Sequence, residues 1–293
     1  MDARVHPTLA SFDAATLDRL AADPVRNTVA LTSLDRARRL PSADNPPTLI
    51  TFHDNGEVVG SLIRTPPWPF QAADLPVAAA DLAAQIAAEV DPEAPGVTGP
   101  RQKSHAFATA FATAFATAFA TAFATAFAAD RSFTESLATR LYRLGTLVPP
   151  TSPGTGRLAT EADIELLGAW RKAFTREAVP EAPDEEATEI VRSSLRLGNG
   201  HALWEVDGTP VAWAAASLPQ VGMTRVGPVY TPPEHRKHGY GAAVSALASQ
   251  WALDQGATDV ILFADLTNPI SNSIYQRIGY QPLDDWAEFW WKR

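Results

Sequence analysis

The 293-residue chain contains no cysteine, which excludes disulfides, thiolate metal sites and a cysteine nucleophile. Its six histidines are scattered without ligand spacing, so no metal is expected. Lysine is scarce: of 24 basic residues, 4 are Lys and 20 are Arg. Residues Met1–Ala10 include Asp2, Arg4 and His6 and have no apolar core, so no secretory leader is expected and a cytoplasmic location is. Positive charge is also in deficit. Residues 1–150 carry 15 acids against 12 bases and residues 151–293 carry 18 against 12, so the halves are −3 and −6 and sum to the net −9. An acidic surface repels nucleic acid and anionic membranes and suits a cationic partner such as an amine.

The composition is that of a globular protein, with 46% hydrophobic residues, and the length accommodates two domains. Pro149-Pro-Thr-Ser-Pro-Gly-Thr-Gly156 is rich in breakers and is expected to link a domain at 1–150 to one at 155–293. Beyond it, Thr160-Glu-Ala-Asp163 reads as a helix start, with Ile164, Leu167, Trp170, Ala173 and Phe174 following at helical spacing. A second helix is expected over 184–197, stopped by Gly198-Asn-Gly200. Residues 201–206 and 210–218 read as a hairpin around Asp207-Gly208-Thr209. Strands over 224–230 and 259–266, helices over 239–255 and 269–278, and a terminal strand over 288–292 complete this half. In the first half, 48–52, 58–64 and 141–147 read as strands and 78–90 as an alanine-rich helix.

Two segments carry chemistry. In Val229-Tyr-Thr-Pro-Pro-Glu-His-Arg-Lys-His-Gly-Tyr-Gly241, a strand runs through a Pro-Pro turn into a basic, glycine-punctuated helix start. Such a start offers unpaired N–H groups and the positive end of a dipole to a pyrophosphate. In Asn268-Pro-Ile-Ser-Asn-Ser-Ile-Tyr-Gln-Arg-Ile-Gly-Tyr280, a tyrosine follows an asparagine by seven residues. The pair resembles the GNAT acetyltransferase superfamily, whose acetyl-CoA loop is Arg/Gln-x-x-Gly-x-Gly/Ala and whose later segment is Asn-x-x-Ala-x-x-Leu-Tyr-x-x-x-Gly-Phe. The resemblance covers roughly residues 156 to 293 and implies a mixed α/β fold there.

By that resemblance, the amides of Arg236, Lys237, His238, Gly239, Tyr240 and Gly241 would hold the CoA pyrophosphate. The strand at Val229 and Tyr230 would pair with the pantetheine arm and offer an N–H to the oxyanion. Asn268 would hydrogen-bond pantetheine, or cap the helix opened by Pro269, or do both. Tyr275 would act as general acid on the departing thiolate, as a phenol of pKa about 10 can. The general base stays open among Asp265, Glu205 and a water chain. Acetyl-CoA is the implied co-substrate, the acceptor a small-molecule or peptide amine, and the mechanism direct attack in a ternary complex. A non-catalytic acyl-CoA-binding module is the alternative, as is an interaction protein organised by a repeat. Glu177, Glu181, Asp184, Glu185, Glu186 and Glu189 crowd the connection between the two helices. They would either attract a cationic acceptor or form a solvated loop with acids at a helix start.

Val59-Gly-Ser-Leu-Ile-Arg-Thr-Pro-Pro67 echoes Val226-Gly-Pro-Val-Tyr-Thr-Pro-Pro233 but lacks the glycine loop after it. The first half is therefore expected to be a degenerate GNAT-like domain without a carrier site, shaping the acceptor cleft or a homodimer interface. Residues 107–126 are five copies of Phe-Ala-Thr-Ala, and Phe127 begins a sixth. A helix over 107–128 is expected, with each phenylalanine turned about 40° from the last, so that one flat partner cannot bury them all. Repeat expansion of an existing helix explains this segment better than a membrane span, because alanine and threonine dominate it.

Overall fold

A computed structural model describes residues 1–122, 132–178 and 186–292, apart from the side chains of 115–122. The chain divides into two compact units, Met1–Ala138 with Asp285–Arg293, and Thr139–Asp284. The expected linker at 149–156 thus falls inside the second unit. The division lies before it because residues of the strand 133–144 already pair within the second unit, and that pairing overrides the breaker-rich composition of the linker.

The first unit runs β1 (Asp2–Val5), α1 (Leu9–Ala21), α2 (Thr28–Arg39), β2 (Thr48–Asp54), β3 (Glu57–Arg64), β4 (Phe70–Gln71), α3 (Ala80–Val90), β5 (Gly96–Pro100) and α4 (Arg101–Ala122). The strand β6 (Phe133–Leu144) leads into the second unit, which runs β7 (Thr155–Leu158), α5 (Ile164–Ala178), α6 (Ala187–Arg196), β8 (Gly200–Val206), β9 (Thr209–Ala216), β10 (Met223–Tyr230), α7 (Tyr240–Asp254), β11 (Asp259–Asp265) and α8 (Pro269–Arg277). The last strand, β12 (Tyr280–Trp291), returns the chain to the first unit.

Both units repeat one order, β-α-α-β-β-β-α-β-α. They also repeat one pairing pattern. The fourth strand lies parallel to the fifth (β4 with β5, β10 with β11), and the neighbouring pairs are antiparallel. Each fifth strand then pairs antiparallel with a strand supplied from elsewhere in the chain. For β5 this is Trp286–Trp290 of β12, and for β11 it is Thr139–Arg143 of β6. A strand lent from a distance has no local signature, which is why only 288–292 and 141–147 were legible as strands.

The repeated order corrects the basis on which the tandem arrangement is expected. The Thr-Pro-Pro echo matches β3 to β10, which hold different places in their units, so the echo is coincidental. The counterpart of β10 is the two-residue β4. Its following loop, 72–79, has none of the glycines of 236–241.

Local chemistry explains most boundaries in the second unit. Thr160 and Asp163 form a reciprocal capping box ahead of α5. Asp207 and Gly208, at φ 50° and 75°, make the two-residue turn that closes the β8–β9 hairpin. Gly198, at φ 83°, ends α6. Apolar residues of β8–β11 alternate between two layers. Val226, Val260, Leu262 and Ala264 pack with α7 and α8, and Leu203, Trp213, Ala215 and Tyr230 pack with α5 and α6.

In α4, Phe107 and Phe111 are fully buried in the first unit. Phe111 stacks on Trp291 at 4.8 Å, and Phe107 meets Phe70 edge-on at 5.6 Å. The phenylalanines of the first two repeats are therefore core, while Thr109 and Thr113 are exposed. Residues 123–128 of the expected helix lie outside the described residues. Among the described residues, no helix is long and apolar enough to cross a membrane.

Candidate functional site

The parallel ladder between β10 and β11 is short: Met223 pairs with Asp259, Thr224 with Val260 and Arg225 with Ile261. Beyond that point β10 continues to Tyr230 beside β9, while β11 continues to Asp265 beside β6. The two strands therefore part after Arg225, leaving an open stretch of strand edge. On the β9 side the register slips between Val226 and Val229, three residues of β10 matching two of β9. This is a β-bulge, which bends β10 at the point of divergence. Val229 and Tyr230 form the far end of the open stretch.

The chain then passes through a short 3-10 turn at Pro233–His235 into the glycine loop. Lys237 and Gly239 both adopt left-handed backbone, at φ 69° and 85°, and Gly239 is the N-cap of the 15-residue α7. Among the described residues, the amides of Lys237, His238, Gly239, Tyr240 and Gly241 find no hydrogen-bond acceptor, whereas those of His235 and Arg236 close the preceding turn. Five consecutive unpaired N–H groups, curled by left-handed residues at a helix start, form a nest of the kind that suits an anion. The structure thus brings Val229, Tyr230 and residues 236–241 of the expected carrier set together at the end of the open strand, with Asn268 separate at the start of α8.

A Cβ on Gly241 would meet nothing closer than Thr231 Oγ1 at 3.4 Å, an ordinary contact. The fold itself does not require glycine there. At Gly239 the positive φ does, and a Cβ would also lie 3.0 Å from Ser152 Oγ.

The side chains of this loop divide. Lys237 and His238 are exposed, and the His238 ring stacks on Tyr240 at 5.4 Å. Arg236 is committed within the protein. Its Nη2 meets Glu177 Oε2 at 2.6 Å, its Nε donates to the Thr231 carbonyl at 2.9 Å, and it lies over the Tyr230 ring at 6.0 Å. Glu177 also accepts from Tyr230 Oη at 3.4 Å. Burial, then Glu177, push the Tyr230 phenol up.

Of the acids crowding the α5–α6 connection, Glu181, Asp184 and Glu185 lie outside the described residues. Glu186 stands at the start of α6, and Glu189 bonds Ser193 and Arg196. Glu177 is the member that reaches the glycine loop.

Asn268 caps α8, its Oδ1 accepting from Ser271 N at 3.1 Å, with Pro269 opening the helix. Asn272, which carried no signal in the sequence, ties three elements together. Its Nδ2 donates to the carbonyls of Asp265 and Asn268 at 2.7 Å each, and its Oδ1 accepts from Tyr142 Oη at 2.7 Å. Tyr275 lies deep in the same cluster, between Tyr142 and Tyr280 at 6.5 and 6.1 Å. Burial pushes its phenol up to about 12, partly offset by the Ser245 hydroxyl beside it.

Of the two base candidates, Glu205 is held by Arg157 at 2.8 Å on β8, with β9 between it and β10. Asp265 accepts from the amide and hydroxyl of Thr267 at 2.8 Å, in the turn that ends β11.

Residues 165–280 match the family model for the acetyltransferase (GNAT) family. No curated protein sequence matches the chain. Among solved structures, a GNAT-family acetyltransferase from Colwellia psychrerythraea aligns with a TM-score of 0.59 at 13% identity, covering 100% of both chains. A GCN5-related N-acetyltransferase from Kribbella flavida aligns with a TM-score of 0.54 at 23% identity, covering 95% of this chain and 96% of its own. A tandem GNAT protein from the clavulanic acid biosynthesis pathway aligns with a TM-score of 0.54 at 14% identity, covering 99% and 98%. At these identities the structures establish the fold across the whole chain, and the family match falls within the second unit. Residues 165–280 are thus similar to the acetyltransferase (GNAT) family, in a chain whose whole length has the GNAT fold.

Proposed function

We propose that the second unit is an acetyl-CoA-dependent N-acetyltransferase that passes an acetyl group to an amine acceptor in a ternary complex. The observation that carries this reading is the continuity of two backbone features. A strand edge opened after Arg225 leads directly into five unpaired amides at 237–241. The first suits an extended amide-bearing chain added as a strand, and the second suits a pyrophosphate. Acetyl-CoA joins those two groups in that order and supplies an activated thioester.

The chain's residues divide the work. The nest amides bind phosphate oxygens, while Arg236, neutralised by Glu177, contributes chiefly by holding the loop against the end of β10. The exposed Lys237 adds positive charge. Tyr275 stays protonated throughout the physiological range. Complete proton transfer from it to a thiolate is uphill, since a thiol lies near about 8.5. Its role is to donate a hydrogen bond as charge develops on sulfur, which preserves the function assigned to it by resemblance in a milder form. With Glu205 withdrawn into an ion pair, removal of the amine proton falls to Asp265 or to water. The first unit, whose corresponding loop at 72–79 has no glycines, offers no carrier site of this kind among its described residues.

The test has two parts. Acetyl-CoA should bind the purified protein by calorimetric titration, and free thiol should appear only when a suitable amine is added. Binding without thiol release across a broad amine panel would favour the alternative of a non-catalytic acyl-CoA-binding module.

A further inference from the structure

Arg225 occupies the last rung of the β10–β11 ladder, where the two strands begin to part. Its backbone is clamped by Ser217, whose Oγ accepts from Arg225 N and whose N donates to Arg225 O, both at 3.1 Å. Its neighbour Val226 points into the layer beneath α7 and α8. Strand alternation therefore sends the Arg225 side chain to the opposite face, where Ala215, Trp213 and Tyr230 pack with α5 and α6. The guanidinium thus stands at the closed end of the opening, on the α5 side.

The side chain is partly buried, yet no carboxylate pairs with it among the described residues. Its surroundings do not explain this by any shortage of acids. Arg143, on β6 beyond β11, is paired with Asp259, Arg157 with Asp163 and Glu205, and Arg236 with Glu177. Burial alone pulls the Arg225 pKa down, to about 10, with no opposing charge, so it remains a cation at neutral pH. A partly desolvated cation without a counter-ion is costly, and a fold keeps one where an anion arrives to offset the cost.

We infer that Arg225 receives an oxyanion carried by the acceptor, so that the preferred acceptor is an amine that also bears a carboxylate or phosphate. This rests on the acetyltransferase reading above and narrows its substrate class. A guanidinium fork matches either group with two parallel hydrogen bonds, and a site built around such a pair discriminates sharply against a substrate lacking the partner. The net acidic surface still favours the amino group of such a zwitterion, so the two charges of the acceptor are recognised separately.

The experiment uses the full chain and measures thiol release from acetyl-CoA with matched acceptors: amino acids against their amides, and aminoalkyl phosphates against the parent amines. The wild type should prefer the anionic member by on the order of 100-fold or more in kcat/KM. Which anionic series is accepted identifies carboxylate or phosphate. Arg225→Gln should erase most of that preference through the acceptor KM, while acetyl-CoA affinity, read by titration, is kept. Arg225→Lys, which keeps the charge but loses the fork, should fall between, and it serves as the test should the glutamine variant not fold.

Equal use of anionic and neutral acceptors by the wild type would overturn the inference while leaving the acetyltransferase reading standing. An equal fall in kcat for every acceptor would also overturn it, because the guanidinium would then be acting on the reacting carbonyl oxygen. Acetyl-CoA binding with no amine acetylated would remove the acetyltransferase reading and the inference with it.

Discussion

Replacing Gly241 by glutamate adds a side chain at the second residue of α7, with φ in the ordinary range and the nearest neighbour of a new Cβ, Thr231 Oγ1, 3.4 Å away. The fold loses nothing by this change. Helix propensity favours glutamate over glycine by at most about 1 kcal/mol, and an acid suits the first turn of a helix, so the melting temperature should stay level or rise by about 2–4 °C. The carboxylate would nevertheless project where the proposed pyrophosphate lies against the amides of 239–241, a position at which the family's loop admits only glycine or alanine. Pushing the phosphate off one of these amides removes a hydrogen bond to a charged group, worth about 1.5–3 kcal/mol, and so weakens acetyl-CoA binding roughly 10- to 150-fold. Gly239→Ala provides the contrast. Its left-handed φ of 85° costs an L-residue about 1–2 kcal/mol, so that variant should lose stability as well as affinity. Titration calorimetry with acetyl-CoA and thermal unfolding, run on both variants, read the two quantities separately. If Gly241→Glu binds acetyl-CoA as tightly as the parent protein, the nest is not where the carrier's phosphates lie, and the reasoning fails.

Tyr275→Phe should lower kcat by on the order of 100-fold while leaving acetyl-CoA affinity intact, as titration alongside steady-state kinetics would show. Because the folded pKa of Tyr275 is raised to about 12 from an unfolded value near 10, its contribution to stability is full below about pH 10 and lost as pH rises towards 12. Denaturant midpoints of the Tyr275→Phe variant across that window should be correspondingly flatter. His201, buried and bonded to Ser194 and Trp213, is held neutral with its pKa pulled down by burial to about 4. Its share of stability is present above about 6.5 and lost as pH falls through 4, and a His201→Gln chain followed by circular dichroism should lose less stability on acidification over that range. Asn268→Ala removes the α8 cap and should cost about 1 kcal/mol, whereas Asn268→Ser keeps a capping oxygen. Acetyl-CoA affinity lost in both variants would show that the amide also serves the ligand, and affinity kept in Asn268→Ser would reduce it to a cap.

Much of the second unit was legible because its determinants are local. Asp207-Gly208 makes its turn through the conformations those two residues tolerate, and Thr160 with Asp163 closes a capping box three residues apart. The glycine loop needs only neighbours to become a nest, since Lys237 and Gly239 set its curl and Gly239 opens α7. These features depend on backbone freedom and hydrogen bonds spanning a few residues, so their spacing in the chain is their geometry. The first unit was less legible for the same reason. Its β1, α2 and β5 lack such punctuation, α1 has only its Thr8 cap, and its fourth strand is two residues long.

Tertiary structure decided whatever depends on residues distant in the chain. That β10 and β11 part after Arg225 cannot be read from either strand, because the divergence arises from β11 pairing with β6 while β10 stays with β9. That Arg236 pairs with Glu177, 59 residues earlier, and Glu205 with Arg157, depends on which side chains the sheet brings within a few ångströms. The unpaired state of Arg225 is of this kind as well: an isolated arginine in a sequence is ordinary, and only the packed sheet reveals a partly buried charge without a counter-ion among the described residues. The amino-acid sequence alone thus carried the family resemblance and the glycine loop, whereas the location of the opening and the assignment of charges around it came from contacts that close only when the chain folds.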